Sequence, residues 1–408
     1  MYVQTSNGIE IMSEGNANKI NLILDFNNFA MRSMFTCNFM DPTIKINNFD
    51  TDEECRMLVE KILLDMCKVV RMFSPKRVIV SCDSKLPWRN DLYKDIDGET
   101  YKGTRIKDEK KNWKKIYATL DELRDILKDK GFIVTLIDRT EADDITTMWK
   151  EYLFSVGEDV VIVSSDMDWV QLVGMNQTGN VCVCFNPIAN NKGRKHLYMD
   201  ESIQEWLNQK DTTDIFFRNY NLTRATINKL PTIDVKVDFN VVDPKKVLLN
   251  KIMAGDRSDN VPAFWHYYRN GKKQSVTELK ASHVFESLGI STLDDLIKAN
   301  DDRLLKDALE KEMKQDIDLD FKERMERQRK LVELNSSLFP KKIVKAFAGM
   351  VDEAMNQCSV NTSSVRSDEI LNGTKYAIKK APEGRLNSVF DDIDMLGKFS
   401  SPSNKLFE

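Results

Sequence analysis

The sequence predicts an α/β protein built on a parallel, doubly wound sheet with helices on both faces, followed by a helical region. Strand-sized apolar runs at 20–24, 77–81, 132–137 and 159–164 alternate with stretches of three- and four-residue apolar spacing, the pattern of βαβ units. Each of these runs ends in acidic residues or is followed by them at the start of the next helix: Asp25, Asp83, Glu141 with Asp143 and Asp144, and Asp166 with Asp168. A later pair, Asp256 and Asp259, follows another helix. Ligands of an open α/β sheet bind beyond the carboxyl ends of its strands, so up to nine carboxylates would converge on one crevice. Like charges packed together raise one another's pKa and stay ionised only with cations among them. The series therefore indicates a multi-metal site of oxygen ligands.

The elements follow in order. Residues 1–18 are polar and aperiodic, which suggests a flexible arm. The run 20–24 opens the sheet, and Cys55, Leu58, Val59, Ile62, Leu63, Met66 and Val70 mark an amphipathic helix. Between the strand 77–81 and the helical stripe Trp113, Ile116, Tyr117, Leu120, Leu123 and Leu127, residues 84–115 read as an excursion from the sheet. Gly131 ends that helix. The strand 132–137 leads to a helix from Glu141, and the strand 159–164 to a short helix at Asp166. The first domain spans 19–199, and 200–242 reads as a mostly helical insertion. Asp243 and Pro244 form an N-cap and N1 pair that opens a helical region over 243–350. Residues 356–408 are rich in Ser, Asn and Thr and read as a disordered tail, punctuated by an acidic-apolar segment around Phe390 and Met395.

Composition narrows the class. With 408 residues, 41% hydrophobic and 30% charged, the chain has room for two cores, and no apolar run reaches membrane-span length. Seven cysteines without a CxxC pair read as reduced thiols of a cytoplasmic protein, and Cys182 and Cys184 as strand residues packing into a core. The three histidines are scattered and read as structural. The net charge of −4 excludes a general polycation, yet residues 85–115 carry ten Lys/Arg against six Asp/Glu. Cations beside an acidic crevice suit a phosphate substrate.

The motifs Leu24-Asp25-Phe26, Cys82-Asp83, Glu141-Ala142-Asp143-Asp144, Ser164-Ser165-Asp166-x-Asp168 and Gly255-Asp256-x-x-Asp259-Asn260 occur in one order. As a set they resemble the flap endonuclease/5′ nuclease family over roughly residues 18–345, and its bacteriophage members most. The resemblance implies a PIN-like nuclease sheet with a helix-hairpin-helix-type duplex-binding region behind it. It also implies that Tyr101-Lys102-Gly103-Thr104-Arg105 lies at the base of an arch (84–115) that passes a 5′ single strand, with Lys102 and Arg105 on the scissile phosphate.

Most members carry a Gly-x-Gly turn that holds a monovalent ion before the duplex-binding helix. Here 264–273 lacks it, so Arg269, Lys272 and Lys273 would contact phosphate by charge, with Lys280 on the helix that follows. The implied activity is structure-specific 5′ nuclease hydrolysis by two Mg2+ ions roughly 4 Å apart, Mn2+ being a substitute. It covers 5′-3′ exonuclease, flap endonuclease and ribonuclease H action on branched or nicked DNA and RNA–DNA hybrids, clearing primers and flaps in replication of a phage genome in host cytoplasm.

Asp25, Asp83, Asp143, Asp166 and Asp168 are expected as direct ligands. Glu141, Asp144, Asp256 and Asp259 are expected to act through water, because magnesium sheds water reluctantly. A phosphomonoesterase would need Asp-x-Asp after the first strand, where Asp25-Phe26-Asn27 stands. A non-catalytic junction-binding module predicts missing acids, and a PIN-type ribonuclease would not need 250–345. The chain is expected to act as a monomer, with the 356–408 tail offered to a sliding clamp or single-strand-binding protein.

Overall fold

A computed structural model of the chain describes residues 2–5, 8–11, 20–37, 46, 48–73, 75–92, 100–105, 107–208, 236–301, 303–317 and 320–357. Most of the proposed tail and the centre of the 200–242 segment lie outside the described residues. Within the expected arm, β1 (Tyr2–Thr5) and β2 (Gly8–Ile11) pair as an antiparallel hairpin.

The main sheet is built on β3 (Ile20–Asp25), β4 (Arg77–Ser81), β5 (Ile133–Thr135), β6 (Asp159–Val163) and β8 (Val181–Asn186), paired in parallel in the order β8-β6-β3-β4-β5. β3 and β4 are buried along their full length, as strands covered on both faces must be. The connections supply the covers: α1 (Phe26–Thr36), α2 (Asp52–Phe73), α3 (Trp113–Asp129) and α4 (Ala142–Ser155). The chain winds from β3 out through β4 to β5, then returns to the other side of β3 with β6. The direction of winding thus reverses beside β3, and that switch point opens the crevice at the strand C-termini.

The sheet is not parallel throughout. The short β7 (Gly174–Met175) and β9 (Arg194–Met199) run antiparallel to β8, because the links at 176–180 and 187–193 are both too short for a parallel crossover. The described ends of the 200–242 segment are a helix and a strand. After α5 (Glu201–Asn208), β10 (Lys236–Val241) adds to the edge, parallel to β9, and its Lys-Val-Asp-Phe-Asn-Val alternation is a period-two signal hidden among charges.

The helical region has its own apolar core, built from α6 (Pro244–Ala254), α7 (Glu278–Leu288), α8 (Leu293–Asp301), α9 (Leu304–Met313) and α10 (Phe321–Val332). Where the Gly-x-Gly turn would stand, β11 (His266–Arg269) and β12 (Lys272–Ser275) form an antiparallel hairpin. At the end of the expected 243–350 region, α11 (Lys341–Gln357) packs on the first core. There Phe347 packs edge-on to Trp149 at 5.2 Å, and Ile343 and Val351 join the same cluster. This helix, the last among the described residues, thus carries the chain back onto the first core. Cys182 and Cys184 are buried in β8, as expected.

Candidate metal centre

Asp25 ends β3 and caps α1, accepting the Asn28 N–H at 3.0 Å and the Ser164 hydroxyl at 2.9 Å. Burial, and then the neighbouring Asp83, push its pKa from 3.8 to about 7. Asp83 follows β4 and faces the crevice between protein walls. It accepts the Ala142 N–H at 2.7 Å and the Asn27 amide at 2.8 Å, and desolvation raises its pKa as well. These bonds join the ends of β3 and β4 to the first turn of α4.

Glu141 is the N-cap of α4, and its own N–H donates to Asp144 Oδ2 at 3.2 Å. Arg89, on a 3-10 turn at Trp88–Asp91, is fully enclosed behind this cluster. It donates to Asp144 Oδ1 at 2.7 Å and Glu141 Oε2 at 3.1 Å, and lies 4.0 Å from Asp143 Oδ1. The Trp88 indole supports it from one face at 4.8 Å and donates to Asp144 Oδ2 at 2.9 Å. Both Asp144 oxygens are thereby engaged, so Asp144 serves as a brace. Burial drives the Asp143 pKa well up against the pull of Arg89, whereas Lys102 and Arg89 outweigh burial at Glu141 and lower its pKa. Oxygens of Glu141, Asp143 and Asp144 lie within 4.8 Å of one another.

Across the crevice Asp166 follows β6 and caps the 3-10 helix Met167–Leu172 by accepting the Asp168 N–H at 3.0 Å. Lys251 on α6 reaches between the two units: its ammonium binds Asp168 and, at 2.6 Å, Asp256. Burial, then Asp166, raises Asp168 to about 7. At Asp256 burial is outweighed by Lys251 and Ser258, which lower the pKa to about 2. Gly255 makes the Asp256 turn: its φ is 74°, and a Cβ there would sit 2.5 Å from the Pro262 carbonyl.

The segment beginning at Tyr101 is fastened to this turn. Lys102 N–H donates to Asp259 O at 2.9 Å and the Asn260 amide to Thr100 O at 3.0 Å, with Lys102 and Asn260 both in left-handed backbone (φ 55° and 59°). Such conformations persist where the surroundings over-determine them. Lys102 binds Glu141 and lies 3.3 Å from Asp259. Tyr101 O–H lies 2.9 Å from Glu141 and 3.1 Å from Asp259, and Arg105 donates to Asp259 at 2.5 Å.

Seven of the nine predicted carboxylates lie at the strand C-terminal edge, and Asp256 and Asp259 face them from the turn after α6. Lys102 and Arg105 lie among them, while Arg269, Lys272 and Lys273 are exposed on the β11–β12 hairpin and Lys280 sits in the first turn of α7. The sequence reading missed Arg89, Lys251 and the amides of Asn27 and Asn28, and gave Tyr101 no role beyond its place in the arch motif. Arg89 stands in an aperiodic stretch that gives no sign of burial. Lys251 carries a weak signal, a basic residue one turn before a helix end that an acidic pair follows. His196 bonds Asn240, and His283 pairs with Glu312 on α9.

The donor set fits hard divalent cations. It is entirely oxygen, and Asp25, Asp83 and Asp143 are raised by desolvation in a way that a bound cation would reverse.

Comparison with known proteins agrees. The family described as 5′-3′ exonuclease, N-terminal resolvase-like domain, matches residues 21–206. A 5′-3′ exonuclease of Buchnera aphidicola subsp. Schizaphis graminum is 28% identical over 190 residues, 45% of this chain and 55% of that protein. One from Mycoplasma pneumoniae is 25% identical over 280 residues, 68% and 77% of the two chains. The chain therefore spans about half the length of the first relative. The fold resembles that of the phage T5 D15 protein co-crystallised with metal ions, with a TM-score of 0.50 and 15% identity, over 82% of this chain and 99% of the other. The chain thus resembles the 5′-3′ exonucleases over residues 21–206, and its fold resembles that of the phage T5 protein.

Proposed function

We propose that this protein is a Mg2+-dependent, structure-specific 5′ nuclease that hydrolyses phosphodiesters at single-strand/duplex junctions, clearing RNA primers and 5′ flaps during replication of a phage genome. The observation that carries the reading is the interleaving of charge: carboxylates from four strand ends face two from the helical region, with Lys102, Arg105 and Lys251 set between them. An acidic crevice alone would repel a phosphodiester.

Asp25, Asp83, Asp143, Asp166 and Asp168 would hold two divalent ions directly, with Glu141, Asp256 and Asp259 holding their hydration water and Asp144 bracing Arg89. When bound, the ions supply Lewis-acid stabilisation of the scissile phosphate and a water of lowered pKa. The protein's own groups do the positioning. Lys102 and Arg105 exchange their carboxylate partners for phosphate oxygens and neutralise charge that builds there. Tyr101, with a pKa raised by burial and then by Glu141, stays protonated and steadies Glu141 and Asp259. The exposed hairpin cations Arg269, Lys272 and Lys273, with Lys280, would grip the duplex backbone.

No helix of the described residues is long and apolar enough to cross a membrane, and the reading places the enzyme as a monomer in the host cytoplasm. Its tail would meet a clamp or single-strand-binding protein. The test is cleavage of end-labelled 5′-flap, nicked-duplex and RNA–DNA hybrid substrates with Mg2+, using Asp143→Asn and Asp168→Asn as controls. Loss of cleavage in both is expected, and full activity in both would sink the assignment.

A further inference from the structure

The stretch that follows α10 lies beyond the matched residues 21–206, yet it meets three supports of the metal centre from behind. Val332 O, at the end of α10, accepts the Gln171 amide at 3.1 Å, on the 3-10 helix that carries Asp168. Ser336 donates its N–H at 3.3 Å, and also its hydroxyl, to Glu151 on α4, the helix that carries Asp143 and Asp144. Next to this anchor Asn335 caps a single 3-10 turn, Ser336–Leu338, by accepting the Ser337 N–H at 3.1 Å. Pro340 holds the residue before it in extended backbone, Phe339 at φ −76° and ψ 151°. Phe339 is thereby turned into the first core, where its ring lies 5.9 Å from the Trp88 ring and 5.9 Å from the Arg89 guanidinium.

Arg89 depends on those rings. It is 1% exposed, and Nη1 alone makes its bonds to Asp144 and Glu141, while Nε and Nη2 have no hydrogen-bond partner among the described residues. A buried guanidinium held through one nitrogen is free to swing about it, and its other donors fix no direction. The Trp88 and Phe339 rings, at 4.8 and 5.9 Å, restrict that swing by contact and by the attraction of a desolvated cation for π faces. We propose that Phe339 is a positioning residue for the metal centre: its ring holds Arg89 on Glu141 and Asp144, so that the segment 332–347 completes a centre to which it contributes no carboxylate. The inference rests on the nuclease reading and extends it to residues behind the crevice. Groups that orient a metal's ligands, without touching the metal, govern both affinity and rate. An aliphatic side chain at 339 would keep the packing and lose the ring, leaving Arg89 free to turn and Glu141 and Asp144 without a fixed partner. The hairpin cations Arg269, Lys272 and Lys273 lie on other elements and are left as they are.

The test compares Phe339→Leu, Phe339→Tyr and a control in the same segment, Phe347→Leu, whose ring packs on Trp149 instead of Arg89. Flap cleavage with Mg2+ gives kcat and KM, and calorimetry of Mn2+ binding without substrate gives the dissociation constant of the ion. Thermal melting sets a temperature at which every variant is folded. Phe339→Leu should lower kcat and weaken Mn2+ binding, each by about 10-fold, with KM and duplex affinity in EDTA unchanged. Phe339→Tyr keeps the ring and should stay near the wild type in both, while Phe347→Leu should lose melting temperature alone. Leucine and tyrosine variants that match each other in kcat and in Mn2+ affinity would overturn the role of the ring. Equal losses in Phe347→Leu would overturn it too, because they report packing in general, and so would a raised KM with kcat kept, because that is a substrate contact. Wild-type protein that binds no duplex and cleaves nothing with Mg2+ would instead sink the nuclease reading itself.

Discussion

Without divalent ions, the crevice should make this protein less stable as pH rises from about 4 to about 8. Asp25 has a folded-state pKa near 7 against an ordinary 3.8, so between those values the folded chain holds a proton that the unfolded chain has released. Stability then falls with rising pH, and the loss is complete above the folded pKa. The full shift corresponds to about 4 kcal/mol at Asp25, taken as an upper bound. Asp168 is raised to about 7 as well, but its side chain is 22% exposed and paired with Lys251, so about half that figure is a fairer measure. Together these are a large part of a stability of about 5–15 kcal/mol. The assay is urea denaturation in EDTA across the pH range, for the wild type and for Asp25→Asn. The variant should be more stable than wild type at pH about 8 and equal to it at pH about 4. Mg2+ at a hundred times its dissociation constant should return about 2.7 kcal/mol per ion to the wild type and less to the variant. A wild-type profile that matches the variant at every pH would refute the reasoning.

Other substitutions test other parts of the centre. Lys251→Met leaves Asp168 and Asp256 without their shared cation and should cost about 3–5 kcal/mol in EDTA, partly recovered with Mg2+ in the same denaturation assay. Lys102→Ala should lower kcat for flap cleavage by about 10²–10³-fold while duplex affinity by anisotropy changes little. Replacing Arg269, Lys272 and Lys273 together by alanine should weaken binding across sequences and reduce the salt dependence of log K by about three, measured by titration against KCl. Gly255→Ala puts a Cβ 2.5 Å from the Pro262 carbonyl and should displace the Asp256–Asp259 turn, read as a lower melting temperature and lost cleavage together.

The amino-acid sequence by itself determined the nuclease sheet and its acidic edge. Both are written in local patterns: apolar runs of strand length, the helical stripes between them, and an acid wherever a strand hands over to a helix. Asp25, Asp83 and the Glu141 cluster could be found because strand ends in such a sheet must share one side. Tertiary structure alone decided how those charges are offset. Arg89 and Lys251 are ordinary basic residues in the sequence, and they become part of the centre only because Trp88–Asp91 folds beneath α4 and α6 docks on the end of β6. The same holds for β10, whose partner β9 lies 42 residues earlier between Arg194 and Lys236, and for α11, whose apolar face finds Trp149. Local periodicity records which face of an element is apolar. It cannot record which distant element covers that face, and here those distant partners set the electrostatics of the crevice.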